Sequence, residues 1–146
     1  MIHTCMSNWH LHLKGQLAGG LDTLLADDCI FYSPVVFSPQ KGKELTKMYL
    51  NAAGNTFSGG DKDKAPSQTA SPFKYTKEVL SGNCAVLEFE THIEDKYVNG
   101  VDIITCNDAG LIIEFKVMIR PLQAVNMLHQ QMQAMLASMQ ASAPGK

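Results

Sequence analysis

The feature that most restricts the fold is a change of hydrophobic period along the chain. Up to residue 57 apolar residues recur every three or four positions, and from residue 73 to residue 120 they recur every second position. The change is sharpest in 85–94 (AVLEFETHIE), where Leu87, Phe89, Thr91 and Ile93 alternate with Glu88, Glu90, His92 and Glu94. A period of two makes a strand with one buried and one polar face. Runs at 73–80, 98–106 and 111–120 predict three further strands. Asn107-Asp108-Ala109-Gly110 supplies a hairpin turn between the last two, with Gly82-Asn83 as another turn.

The first third reads differently. Met6, Trp9, Leu13 and Leu17 mark one face of a helix over 6–18, in which Gly15 costs about 1 kcal/mol of propensity. Gly19-Gly20 ends it, and a short helix over 21–26 turns Leu21, Leu24 and Leu25 inward. Residues 29–36 (CIFYSPVV) predict a strand that Pro34 stops or confines to an edge. An amphipathic stripe predicts a helix over 42–57, and Pro121 precedes another over 122–140. Its apolar face carries Leu122, Val125, Leu128, Met132, Met135 and Met139, and with Met127 these methionines are expected to serve packing. Between helices and meander, 58–72 is a loop of Gly, Ser, Pro and charge, and 141–146 is expected to be a frayed tail. Segregation of helices from a strand meander predicts an α+β fold in one domain spanning 1–146.

Charge excludes one class of partner. The 12 Lys and Arg against 14 Asp and Glu give a net charge of -2, and Arg120 is the sole arginine. Binding to nucleic acid needs many cations on one face, so none is expected. No apolar run reaches the roughly 18–20 residues of a membrane span. No basic-then-apolar leader opens the sequence, so a cytoplasmic protein with Cys5, Cys29, Cys84 and Cys106 reduced is expected. No Gly-rich phosphate loop follows a strand and the five histidines lack ligand spacing, so no cofactor or metal is expected.

Asp102 is the most informative residue, because it interrupts the apolar run Val101-Asp102-Ile103-Ile104. An unpaired buried carboxylate costs several kcal/mol, so it must find partners or move its pKa upward. It either lines an enclosed hollow, or faces water or neighbouring backbone.

Three stretches carry a family resemblance. Leu24-Leu25-Ala26-Asp27-Asp28 runs into a strand ending at Ser33-Pro34-Val35. Gly100-Val101-Asp102 leads through Asn107-Asp108-Ala109-Gly110 to an Ile-rich strand, and Met118-Ile119-Arg120-Pro121-Leu122 precedes the terminal helix. Their order and spacing resemble the nuclear-transport-factor-2-like superfamily, its SnoaL-like group in particular. The resemblance implies a curved antiparallel sheet packed on the N-terminal helices. Together they would form a cone-shaped barrel with an internal pocket, capped by a C-terminal helix. It also implies a homodimer formed through the convex sheet face.

Within that superfamily Asp102 matches the ketosteroid isomerase acid that stays protonated and donates to an oxyanion. The isomerase's general base precedes Pro-Val, and here that position is Ser33, which cannot take a proton from carbon unaided. Its helix-one tyrosine falls near Trp9, which offers only an indole N–H. The Arg and Asp set of the epoxide hydrolase-like members has no match, since Arg120 lies at a strand end and Phe89 and Thr91 stand where that family has charge. His10 or His12 in the first helix offers a base to pair with Asp102, or else an ordinary helix-surface imidazole. His92 is expected on the outer sheet face and His129 in solvent.

The expectation is therefore a binder of a small apolar molecule, with or without acid/base chemistry, and the alternative is a non-catalytic association module. Asp102 would be the acid or polar anchor. Trp9, Ser33, Tyr49 and Thr91 would line the pocket, and Phe31, Leu87, Phe89, Phe115 and Val117 would wall it.

Overall fold

A computed structural model describes residues 2–57, 73–93 and 95–141. The expected loop 58–72, Glu94 and the last residues of the expected tail lie outside them. So do the side chains of Met135 and Met139.

Helix α1 (Ile2–Leu13) and the single turn α2 (Leu21–Leu24) lead into β1 (Leu25–Tyr32) and the short β2 (Gln40–Lys41). Helix α3 (Lys43–Phe57) follows, then β3 (Lys74–Ser81), β4 (Cys84–Ile93), β5 (Lys96–Cys106) and β6 (Ile112–Arg120), and finally α4 (Leu122–Ala141). The α+β segregation is as expected. The six strands form one curved sheet in the order β2-β1-β6-β5-β4-β3. It stays open: β2 and β3 are its two edges.

Two features of the sheet differ from the sequence reading. β1 runs parallel to β6, with Phe31 opposite Phe115, so the sheet is not wholly antiparallel. β1 also starts at Leu25 rather than residue 29, and Ser33-Pro34-Val35-Val36 is bend rather than strand. Leu25 and Ala26 are buried as a helix stripe would be, but they achieve it in extended backbone. The ladder to β6 shifts register between Leu25 and Ile30, where exposed Asp27 and Asp28 bulge out.

The first helix is displaced too. Ile2, Cys5, Met6 and Trp9 form its buried face, while Leu13 is 47% exposed. Gly15, expected only to weaken the helix, ends it. It adopts φ 71°, and Gln16 N–H bonds back to the Leu11 carbonyl at 2.8 Å, satisfying a terminal acceptor. At the other end of the chain Leu122, expected inward, is exposed, and Ala124, Met127, Leu128 and Met132 carry the buried face of α4.

The hairpin joining β5 to β6 follows its sequence signal. The Asn107 side-chain carbonyl accepts from the Ala109 and Leu111 N–H groups, both at 3.0 Å. Burial alternates along β4, with Ala85, Leu87, Phe89, Thr91 and Ile93 inward, and along β5 with Val98, Gly100, Asp102, Ile104 and Cys106 inward, broken only where Asn99 is also buried. That inner face meets α1, α3 and α4, and the main core forms around Trp9, Phe31, Tyr49, Leu87, Ile104 and Phe115.

Candidate functional site

The core is not filled. Between the inner sheet face and the helices lies a cavity of about 770 Å³, whose lining includes Trp9, Phe31, Ser33, Phe89, Asp102, Phe115 and Val117. That size suits a small organic ligand. Seven of the ten residues singled out from sequence are thus brought around one hollow. Tyr49, Leu87 and Thr91 are not among its lining. Tyr49 stacks behind Phe31, with ring centroids 5.5 Å apart, so Phe31 stands between it and the hollow. Leu87 is covered within the main core and Thr91 is buried further along β4.

Asp102 occupies the inner face of β5, opposite Leu87 on β4 and Val117 on β6. It is 6% exposed. Burial among these strands raises its carboxyl pKa to about 7, against a smaller lowering by a hydrogen bond from Tyr75. The Tyr75 hydroxyl donates to Oδ2 at 2.6 Å. The same hydroxyl accepts from the Trp9 indole N–H at 3.0 Å. Burial first, and then the neighbouring Asp102 charge, hold the Tyr75 phenol well above its usual pKa. Trp9–Tyr75–Asp102 is therefore a chain of donors that ends on a carboxyl group which is largely protonated below pH 7.

Tyr75 was not among the residues picked from sequence. Its strand, KYTKEVLS, alternates poorly, because the β3–β4 register shifts between Tyr75 and Lys77. The usable signal was its partner, Phe89, which lies across from it on a strand whose inner face was legible.

The remaining polar residues divide between cavity and outer face. His10 and His12 both line the hollow. His10 Nε2 lies 2.9 Å from Glu78 Oε1, and its ring stands edge-on to Tyr75 with centroids 5.9 Å apart. His12 lies beside the Trp9 ring, and partial burial lowers its pKa. The Ser33 hydroxyl accepts from Val35 N–H at 3.2 Å, in a local turn at the cavity wall. His92 packs beside Tyr97 in the outward-facing register of β4, and His129 is exposed. Arg120 donates to Asn99 Oδ1 at 3.1 Å, and Asn99 donates to Glu88, so the arginine belongs to an outer-face network. Among the described residues no three His, Cys, Asp or Glu side chains gather as metal ligands would, and no helix is long and apolar enough to cross a membrane.

No family model and no curated protein matches the sequence. Solved structures do. A steroid delta-isomerase from Pseudomonas aeruginosa is 28% identical, with a TM-score of 0.81 over 97% of this chain and 95% of that one. The chain has the fold of the nuclear-transport-factor-2-like proteins. A Silicibacter pomeroyi protein with a cystatin-like fold is 27% identical, with a TM-score of 0.70 over 91% of this chain and 85% of that one. A Mesorhizobium loti protein described as NTF2-like shares the fold at 15% identity, with a TM-score of 0.63 over 82% of this chain and 91% of that one. Within this fold the chain sets its polar groups on β3, β5 and α1, against apolar walls from β1, β4 and β6.

Proposed function

We propose that the cavity takes up a small apolar molecule carrying one carbonyl-type oxygen, and that protonated Asp102 donates a hydrogen bond to that oxygen. The observation that carries this reading is a carboxyl group with a pKa near 7 lining an otherwise largely apolar hollow, with one oxygen already occupied by Tyr75. A neutral acid donates where a carboxylate can only accept. If charge develops on the ligand oxygen during a reaction, such a preorganised donor contributes about 100- to 1000-fold in rate. That places isomerase- or cyclase-type acid/base chemistry first among reactions. A reducing, cytoplasmic setting accords with the free thiols of Cys5, Cys29, Cys84 and Cys106.

A panel of apolar ketones, lactones and sterols tests the reading by thermal shift. A ligand at 100 times its Kd adds about 2.7 kcal/mol of stability. Ketones should raise Tm more at pH 6 than at pH 8, and more than hydrocarbons of the same shape. Asp102→Ala should erase the difference. A panel in which ketone and hydrocarbon behave alike at both pH values would remove the proposed role of Asp102.

The outer sheet face supports a second reading, association into a homodimer. Val79, Val86 and Met118 are respectively 53%, 37% and 52% exposed there. They neighbour Val101 and Ile103 across the ladders. Analytical ultracentrifugation at micromolar concentration should find a dimer, and Val86→Lys with Met118→Lys should yield monomer. A monomeric unmodified protein would rule the dimer out. The two readings are compatible, since they use opposite faces of the sheet.

A further inference from the structure

Serine at position 33 leaves the cavity without a base at the place where the family resemblance implies one. A second polar pair, at the edge of the hollow, bears on that gap: His10 lines the cavity and Glu78 lies outside its lining, with side chains 34% and 42% exposed. The register shift between Tyr75 and Lys77 breaks the twofold period of β3. As a result Tyr75, opposite Phe89, and Glu78, opposite Leu87, both fall on the inner face although they are three positions apart. Without the shift an odd separation would send them to opposite faces. Bulges of this kind re-aim side chains beside functional sites. Each of the two meets a polar residue of α1: Trp9 donates to Tyr75, and His10 bonds Glu78.

Resting on the reading of the cavity given above, we infer that His10, oriented by Glu78, is the proton acceptor that works opposite Asp102. A carboxylate only accepts, so the 2.9 Å contact makes Nε2 an N–H nitrogen, and in the neutral imidazole the lone pair then sits on Nδ1. This is the base-plus-orienter arrangement that general-base catalysis requires. His10 lines the hollow and packs edge-on against Tyr75, whose hydroxyl reaches Asp102. Acid and base are thus one tyrosine apart.

The reaction class follows. Nδ1 takes a proton from a carbon next to the ligand carbonyl, and the C–H electron pair becomes the new C=C bond. The carbonyl π pair moves to oxygen, which takes the Asp102 proton. In a ligand whose second C=C bond is conjugated with the new one, the His10 proton returns to the far end of that bond, its electron pair forming the new C–H bond. The remaining double bond shifts toward the carbonyl carbon and the oxygen proton passes back to Asp102, which yields an isomer and restores both groups. No oxidant, reductant or co-substrate enters.

The probe is 5-nitrobenzisoxazole, an apolar heterocycle. Loss of its C3 proton to a base breaks the N–O bond, forms a nitrile and releases yellow 2-cyano-4-nitrophenolate. The phenolate oxygen is where Asp102 would donate. The intact protein should accelerate this elimination over buffer. His10→Ala should lower kcat by about 100-fold, within the range typical of a positioned base, and added imidazole should restore part of it. Glu78→Gln should lower kcat less, by about tenfold, with KM little changed. Equal rates in His10→Ala and the unmodified protein, or a loss that appears in His12→Gln instead, would overturn the assignment.

Binding is read separately from Trp9, the chain's single tryptophan, which lines the cavity. Quenching of its emission by the product phenol, with turnover indifferent to His10, sinks only the base. Absence of quenching sinks the small-molecule reading of the cavity, and this inference with it.

Discussion

Asp102→Asn should gain stability over the unmodified protein as pH rises from about 4 to about 7, and should keep that gain above neutral pH. The folded-state pKa of Asp102 is about 7, against 3.8 for an ordinary aspartate. Between those values the folded protein binds a proton that the unfolded chain has released, so stability falls with rising pH. The contribution is whole below about pH 4, declines through the interval, and is gone once pH passes about 7. Three pH units correspond to roughly 4 kcal/mol. An asparagine has no charge to lose, and its amide oxygen can still accept from Tyr75. Urea midpoints at pH 5, 6, 7 and 8 should therefore diverge between the two proteins, the variant gaining about 3 kcal/mol across the series, most of it below pH 7. Parallel curves would show that Asp102 titrates as a solvated carboxylate does. Under the proposed chemistry the same variant should lose most turnover, so the group costs stability where it serves the reaction.

Gly100→Ala should destabilise the fold by about 3 kcal/mol. A Cβ at this position would lie 2.5 Å from Phe89 Cζ and 2.7 Å from the Met118 carbonyl oxygen. The ring has some freedom to turn, but the carbonyl belongs to the β5–β6 ladder and does not. The Phe89 ring also lines the cavity, so any accommodation reshapes the ligand site. Chemical denaturation checks the magnitude. An unchanged midpoint would mean that the sheet yields at this point far more readily than its close packing implies.

How much of this was legible in the sequence depended on how local each cause is. Alternation in β4 and β5 fixes which residues face inward, and it placed Phe89 and Asp102 correctly. Alternation says nothing about what lies over a residue. Leu87 shares a face with Phe89 yet is roofed by the main core, and Tyr49 sits behind Phe31. Tyr75 escaped because its orientation depends on a register shift, which leaves no mark on composition. The early start of β1 was hidden because Leu21, Leu24 and Leu25 suit a helix stripe equally well. Its partner strand lies far away in the sequence. Gly15 carried a correct local signal that had been given too small an effect.

The parallel contact between β1 and β6 has a consequence for synthesis of the chain. Phe31 sits across from Phe115, which emerges from the ribosome 84 positions later (115 minus 31). Until then one long side of β1 lacks its lasting neighbour, and Phe31 has only the Tyr49 ring of α3 to rest against. Pairings that span so much chain form slowly. Translation halted before residue 112 should therefore leave a nascent product that chaperones hold, while hairpins β3–β4 and β4–β5 assemble beside it without waiting.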